Sequence, residues 1–136
     1  MTCTCCQPLT EPQRIDYPAS LFGAAEFPFR VEPTIFDIAG ELSVDYTGGL
    51  WEFYALSNGG FYMAPRTDEP FNVRADNGFE GRLSVCAFGI TVCLYAFSRL
   101  SFAGGVLGEA CAEQYHRLRE HTLEHPEALA ILAAID

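Results

Sequence analysis

Two apolar-rich runs, residues 50–57 and 60–65, flank Ser57-Asn58-Gly59-Gly60. Asn and Gly accept the positive φ angles of a tight turn, so the pattern predicts a β-hairpin with that tetrapeptide at its tip. Alternation puts Trp51, Phe53 and Ala55 on one face and Glu52, Tyr54 and Leu56 on the other. One face is expected to meet helices while the other stays partly wet. Phe71-Asn72-Val73-Arg74 alternates too and predicts a third strand, joined as a meander and ending at the Asp76-Asn77-Gly78 turn.

Elsewhere the spacing is helical. Val31, Ile35, Ile38 and Leu42 fall on one face of a helix over 30–44. A short helix is expected over 16–23, with Pro18 in its first turn. Ser84 can cap a helix reaching about residue 102, whose apolar residues surround it almost completely and make it the central, buried helix. Gly89 inside it costs about 1 kcal/mol relative to Ala, a cost that close packing on the sheet would offset. After Gly104-Gly105 a helix over 106–124 turns Leu107, Cys111, Tyr115 and Leu118 inward. Pro126 starts a last helix over 127–135, docked by Leu129, Ile131, Leu132 and Ile135. Residues 1–14 lack periodicity and read as a loose tail. The expectation is one α+β domain over 15–136, a small antiparallel three-stranded meander packed against several helices.

Composition supports a compact fold: 49% of residues are hydrophobic and 13% aromatic. The 18 acidic residues face 8 basic ones, all Arg, for a net charge of −10. Such a balance argues against direct binding to DNA phosphates. Residues 53–105 hold four acids and four Arg, so the surplus lies in the flanking segments. Asp37, Glu41 and Asp45 recur every four residues, about 6 Å apart along a helix axis. With Glu120 and Glu124 they form a candidate acidic surface, read either as a solvated helix face or as an imitation of DNA phosphates. Arg117 and Arg119 interrupt the latter two.

The start MTCTCCQPLTEP has neither a basic opening nor an apolar core, and no stretch is long enough to span a bilayer, so a cytoplasmic protein with reduced thiols is expected. Cys3, Cys5 and Cys6 lack zinc-knuckle spacing, and His121 and His125 lose their shared helical face at Pro126, so no metal and no cofactor are expected. No nucleophile elbow, P-loop, zincin helix or dinucleotide fingerprint is present, and the expectation is a protein that is not an enzyme.

A series of uncommon words remains: Asp45-Tyr46-Thr47-Gly48-Gly49, Trp51-Glu52-Phe53-Tyr54, Leu56 to Pro65, Asn77-Gly78-Phe79, Leu83-Ser84, Ala87-Phe88-Gly89-Ile90 and His125-Pro126-Glu127-Ala128. In this order they closely resemble the antirestriction protein family typified by ArdB and KlcA, over residues 15–136. The resemblance implies an accessory protein of plasmids or other mobile elements that lets unmodified incoming DNA escape type I restriction. Its expected partner is a host protein of the restriction pathway, either the type I system itself or an associated factor.

Two mechanisms are open at this level. In the first, Tyr54, Phe61 and Tyr62, aromatic residues suited to interface anchors, bind that protein together with Asp136. Asp136 adds charge at the negative end of a helix dipole, a placement that favours function over stability. In the second, the acidic surface occupies the DNA channel of the restriction enzyme.

Overall fold

The structure, a computed structural model, describes residues 6–136. Among them the chain forms β1 (Cys6–Pro8), α1 (Glu11–Phe22), α2 (Glu32–Leu42), β2 (Trp51–Leu56), β3 (Phe61–Pro65), β4 (Phe71–Arg74), β5 (Glu80–Leu83), α3 (Val85–Ser101), α4 (Gly105–Thr122) and α5 (Ala128–Ile135). A π-helical turn, Phe27–Val31, leads straight into α2. The architecture is α+β, with the predicted hairpin inside a three-stranded antiparallel sheet ordered β1-β2-β3.

The third strand of that sheet is not the expected one. Phe71–Arg74 pairs with Glu80–Leu83 instead, because the Asn77-Gly78 turn folds the chain straight back, with Ala75 N donating to Phe79 O at 2.9 Å. The place beside β2 goes to β1, with Gln7 opposite Ala55 and Pro8 opposite Tyr54. Residues 6–14, read as tail from their pattern, therefore hold a strand and the start of α1. That helix begins at Glu11 rather than Asp16: the Thr10 amide donates to Gln13 Oε1 at 2.9 Å, and Pro12 occupies a first-turn position that needs no donor. Pro18 consequently lies inside the helix. Cys3 and Cys5 lie outside the described residues.

A cluster of rings fills the space between β2, β3 and the helices preceding them. Phe53, Phe61 and Phe27 meet edge to face with centroids 5.6–5.8 Å apart, and Phe22 stacks on Phe27 at 5.8 Å. Each such contact adds about 1 kcal/mol to the burial itself. On the far side of β3 runs α3, with Phe88, Ile90, Leu94 and Phe97 wholly buried and Ser84 Oγ accepting from Ala87 N at its start. Gly89 lets this helix approach: a Cβ there would lie 2.5 Å from both Ala64 Cβ and Met63 O. In α5 the docking residues are Ile131 and Ala134, while Leu129, expected to dock, is 86% exposed because it lies on the opposite face.

Each sheet edge has its own cover, as soluble sheets require. Cys93 of α3 closes β3, Pro8 removes the outward N–H from β1, and Asp45 Oδ2 accepts from Asn72 N on β4 at 2.9 Å. Beside β5, α5 is held at one end by Glu127, which accepts from Ser84 N at 3.0 Å. Its other end is held by Asn77, whose amide donates to Ala133 O and Ala134 O.

Candidate partner surface around the hairpin

The hairpin tip is clasped by two helices. Asn58 Nδ2 donates to Arg117 O at 2.9 Å and to Glu120 Oε1 at 3.2 Å, while Gln114 Nε2 and the Arg117 guanidinium both donate to Gly59 O. From α1, Tyr17 OH donates to Gly60 O at 2.8 Å. Burial raises the Tyr17 phenol against the pull of Arg117, so the hydroxyl keeps its proton and donates. Gly59 has φ +85°, and a Cβ there would collide with Arg117. The Asn-Gly-Gly word is a fastening to α4.

The other words fasten too. Tyr46 OH accepts from Trp51 Nε1 at 3.1 Å. Ser84 caps α3 and also donates its hydroxyl to Glu127, so the Leu-Ser and His-Pro-Glu words meet in space. His125 Nδ1 accepts from Glu127 N at 2.9 Å, which fixes the neutral tautomer with its hydrogen on Nε2. Burial lowers the pKa of both His125 and His121; the adjacent His125 lowers His121 further, with Glu127 opposing the shift at His125 and Glu124 opposing it at His121. Among the described residues no group of three or more His, Cys, Asp or Glu could hold a metal ion.

The predicted interface aromatics separate. Phe61 is 0% and Tyr62 1% exposed, a correction to their reading as surface anchors. The reason is that β3 is covered on both faces: Phe61 enters the ring cluster, while Tyr62 stacks on His121 at 6.1 Å with its hydroxyl 3.1 Å from Cys86 Sγ. Tyr54 is half-buried, stacked on Tyr62 at 4.8 Å, and it faces an open cleft with Glu52, Arg66 and Asp68. Arg66 Nε lies 2.7 Å from Glu52 Oε2, and Arg14 approaches the same carboxylate at 3.9 Å while sitting 4.1 Å over the Phe53 ring. This ion pair beside Tyr54 was not picked out from sequence; the polar Glu52 amid aromatics was its only sign.

Asp136 is exposed at the chain end, its amide donating to Leu132 O. The carbonyl end of α5 next to it is not bare, since Asn77 and Tyr95 OH both donate to Ala134 O, the latter at 2.6 Å. Those donors offset part of the dipole penalty expected there.

The acidic candidates are divided between α2 with the segment that follows it and the end of α4. α2 stops at Leu42, so Asp45 leaves the helical stripe and is spent on Asn72, while Glu41 pairs with Arg99 at 3.2 Å. Asp37 is exposed on α2. Glu120 holds Asn58, and Glu124 lies beyond the end of α4 in a small polar hollow with Ser57 and His121. On α4 itself, Glu113 pairs with Arg117 at 3.2 Å. No helix of the described residues is long and apolar enough to cross a membrane.

Comparison with known proteins agrees with the residues. The antirestriction protein KlcA of Escherichia coli is 41% identical over 132 residues, covering 94% of this chain and 90% of the relative. The putative antirestriction protein YubI of Escherichia coli K12 is 31% identical over 131 residues, covering 93% and 92%. A solved structure from work on KlcA and ArdB superposes with a TM-score of 0.86 at 36% identity, covering 100% of both chains. Those proteins are described as having a novel fold and antirestriction activity against type I DNA restriction systems in vivo but not in vitro. A model of the antirestriction protein family matches residues 44–136, and the chain belongs to that family.

Proposed function

We infer that this chain protects unmodified incoming DNA from type I restriction, as an inhibitor rather than an enzyme, by contacting a protein of the host restriction pathway in the cytoplasm. The observation that carries this reading is the behaviour of the solved relatives, active in vivo but not in vitro. A protein that filled the DNA channel of the restriction enzyme would compete with DNA in a purified reaction as well. Activity that needs the cell points to a component the purified reaction lacks.

The acidic residues support the same conclusion. A phosphate imitation needs an extended, uniform negative surface, and here Glu41, Glu52 and Glu113 are paired with Arg99, Arg66 and Arg117, while Asp45 and Glu120 are tied to Asn72 and Asn58. The candidate contacts are Tyr54, at the cleft, and the exposed carboxylate of Asp136. The test is the plating efficiency of unmodified phage on a type I restricting host, with and without the protein. Recovery of plating is expected for the wild type and reduced recovery for Tyr54→Ala and Asp136→Asn at equal folded protein. No recovery by the wild type overturns the reading; inhibition of purified enzyme, relieved by salt, would replace it with channel occupation.

A further inference from the structure

The cover on the β4 edge stops halfway. In an antiparallel pair, residues whose backbone groups point at the partner strand alternate with residues whose groups point away. The bond from Ala75 N to Phe79 O fixes the phase: Phe71 and Val73 turn to β5, while Asn72 and Arg74 turn outward. Asp45 takes the first outward donor, Asn72 N, and the same Oδ2 accepts from the Asn72 side chain at 3.0 Å. Asn72 O, Arg74 N and Arg74 O follow along the edge, and no hydrogen bond among the described residues ends on them. Here lies an open hollow of about 720 Å³, bordered by Asn72, Val73 and Arg74 of β4 and by Glu41, Leu42 and Val44 at the end of α2. Among the described residues no backbone hydrogen bond joins its two borders.

The order of donors and acceptors names the occupant. An acceptor, a donor and an acceptor at strand spacing are satisfied together by the backbone of an extended chain. Resting on the protein-contact reading above, we propose that the outer edge of β4, at Asn72 and Arg74, is completed by an extended segment of the host protein, added as a strand. Nucleic acid is a poor match, because phosphate oxygens accept and cannot donate to Asn72 O or Arg74 O. A second copy would bring its own β4 edge, half taken by Asp45 and flanked by Val44 at 93% exposure, so the two walls would meet before the strands. Charge sets no further demand: Glu41 pairs with Arg99 at 3.2 Å and Glu80 with Arg74 at 3.5 Å, which leaves one acid, Asp76, and one base, Arg82, around the hollow. Recognition there falls to the backbone.

The test separates backbone from side chain at one residue. Arg74→Pro deletes the outward N–H, which an edge position tolerates because the ladder to β5 keeps its donors. Arg74→Ala deletes the guanidinium and keeps the N–H. At unchanged melting temperature, Arg74→Pro should weaken binding by about 10-fold or more and lower plating recovery, while Arg74→Ala should protect like the wild type. Should the proline lower the melting temperature, Val44→Trp, which narrows the hollow from its exposed border, takes its place with the same expected loss. A benzophenone amino acid in place of Val44 should trap a host protein in cells, and the loss of that product on adding the same blocking substitution, or Asn72→Pro where Val44→Trp is the block, ties it to the edge. Failure of the wild type to protect removes the underlying reading. With the wild type protective, undiminished protection by the blocking variant, equal loss in Arg74→Ala, a crosslink that the block leaves in place, or crosslinking only to a second copy overturns the added strand alone.

Discussion

Cys93 Sγ lies 3.4 Å from Met63 N and 3.6 Å from Met63 O, so one thiol serves both outward groups of a residue on the sheet edge. An amide buried without an acceptor costs about 1–3 kcal/mol, and the thiol removes that cost where no strand is available. Burial pushes the Cys93 pKa up to about 12, against the hydrogen bond to Met63, so the group stays a thiol and can donate.

Cys93→Ala should therefore destabilise the fold by about 2 kcal/mol, with Cys93→Ser milder because a hydroxyl keeps both roles. Urea unfolding of the three proteins measures this. Cys111, pushed up to about 11 by burial, and Cys93 should both resist alkylation in the native state, as mass spectrometry of the labelled sites would show.

At most helix positions Gly→Ala stabilises by up to about 1 kcal/mol. Gly89→Ala should do the opposite, because the new methyl group meets Ala64 and the Met63 backbone at 2.5 Å. Pushing α3 off β3 costs about 1–3 kcal/mol net, seen as a lowered denaturation midpoint. Equal or higher stability would mean that the contact yields easily.

His121 and His125 both have folded-state pKa values below 6.5. The folded state resists protonation there, so their contribution is complete above pH 6.5 and is lost as pH falls from that value through the lowered folded pKa. Thermal stability should decline as pH falls below about 6.5. His125→Asn keeps an acceptor for the Glu127 amide in an Asx-type turn but cannot be protonated. It should flatten that decline while preserving stability at neutral pH.

The two readings of inhibition differ over the exposed acids Asp37 and Glu124. Asp37→Asn combined with Glu124→Gln removes exposed charge while leaving the hydrogen bonds and ion pairs described above intact. Plating protection should be retained; a marked loss would favour phosphate imitation.

Local signals carried much of this fold. The Asn-Gly-Gly hairpin, the Ser84 cap and the all-round apolar face of α3 each specify structure within a few residues, and each is found where the pattern puts it. β1 could not be read that way, since Cys6-Gln7-Pro8 has no alternation and becomes a strand only by pairing with residues 54–56. The partner of 71–74 is hidden in the sequence because Gly81 breaks its pattern, a gap that the Phe79 ring covers in the structure. For α1 the sign was present, since Thr10 and Gln13 are spaced as a capping box. Phe61 and Tyr62 show the harder limit: an aromatic suited to an interface is equally suited to a core, and only the helices on both sides of β3 decide.

The words by which the family is recognised are mostly joints between elements: turn to helix, cap to carboxylate, strand edge to side chain. The outer surface between those joints has few obligations to the fold. On the protein-contact reading, a host that alters its restriction machinery to escape inhibition can be followed by changes on that outer surface, with the joints left untouched. Relatives could then keep one architecture while parting company over which host they disarm.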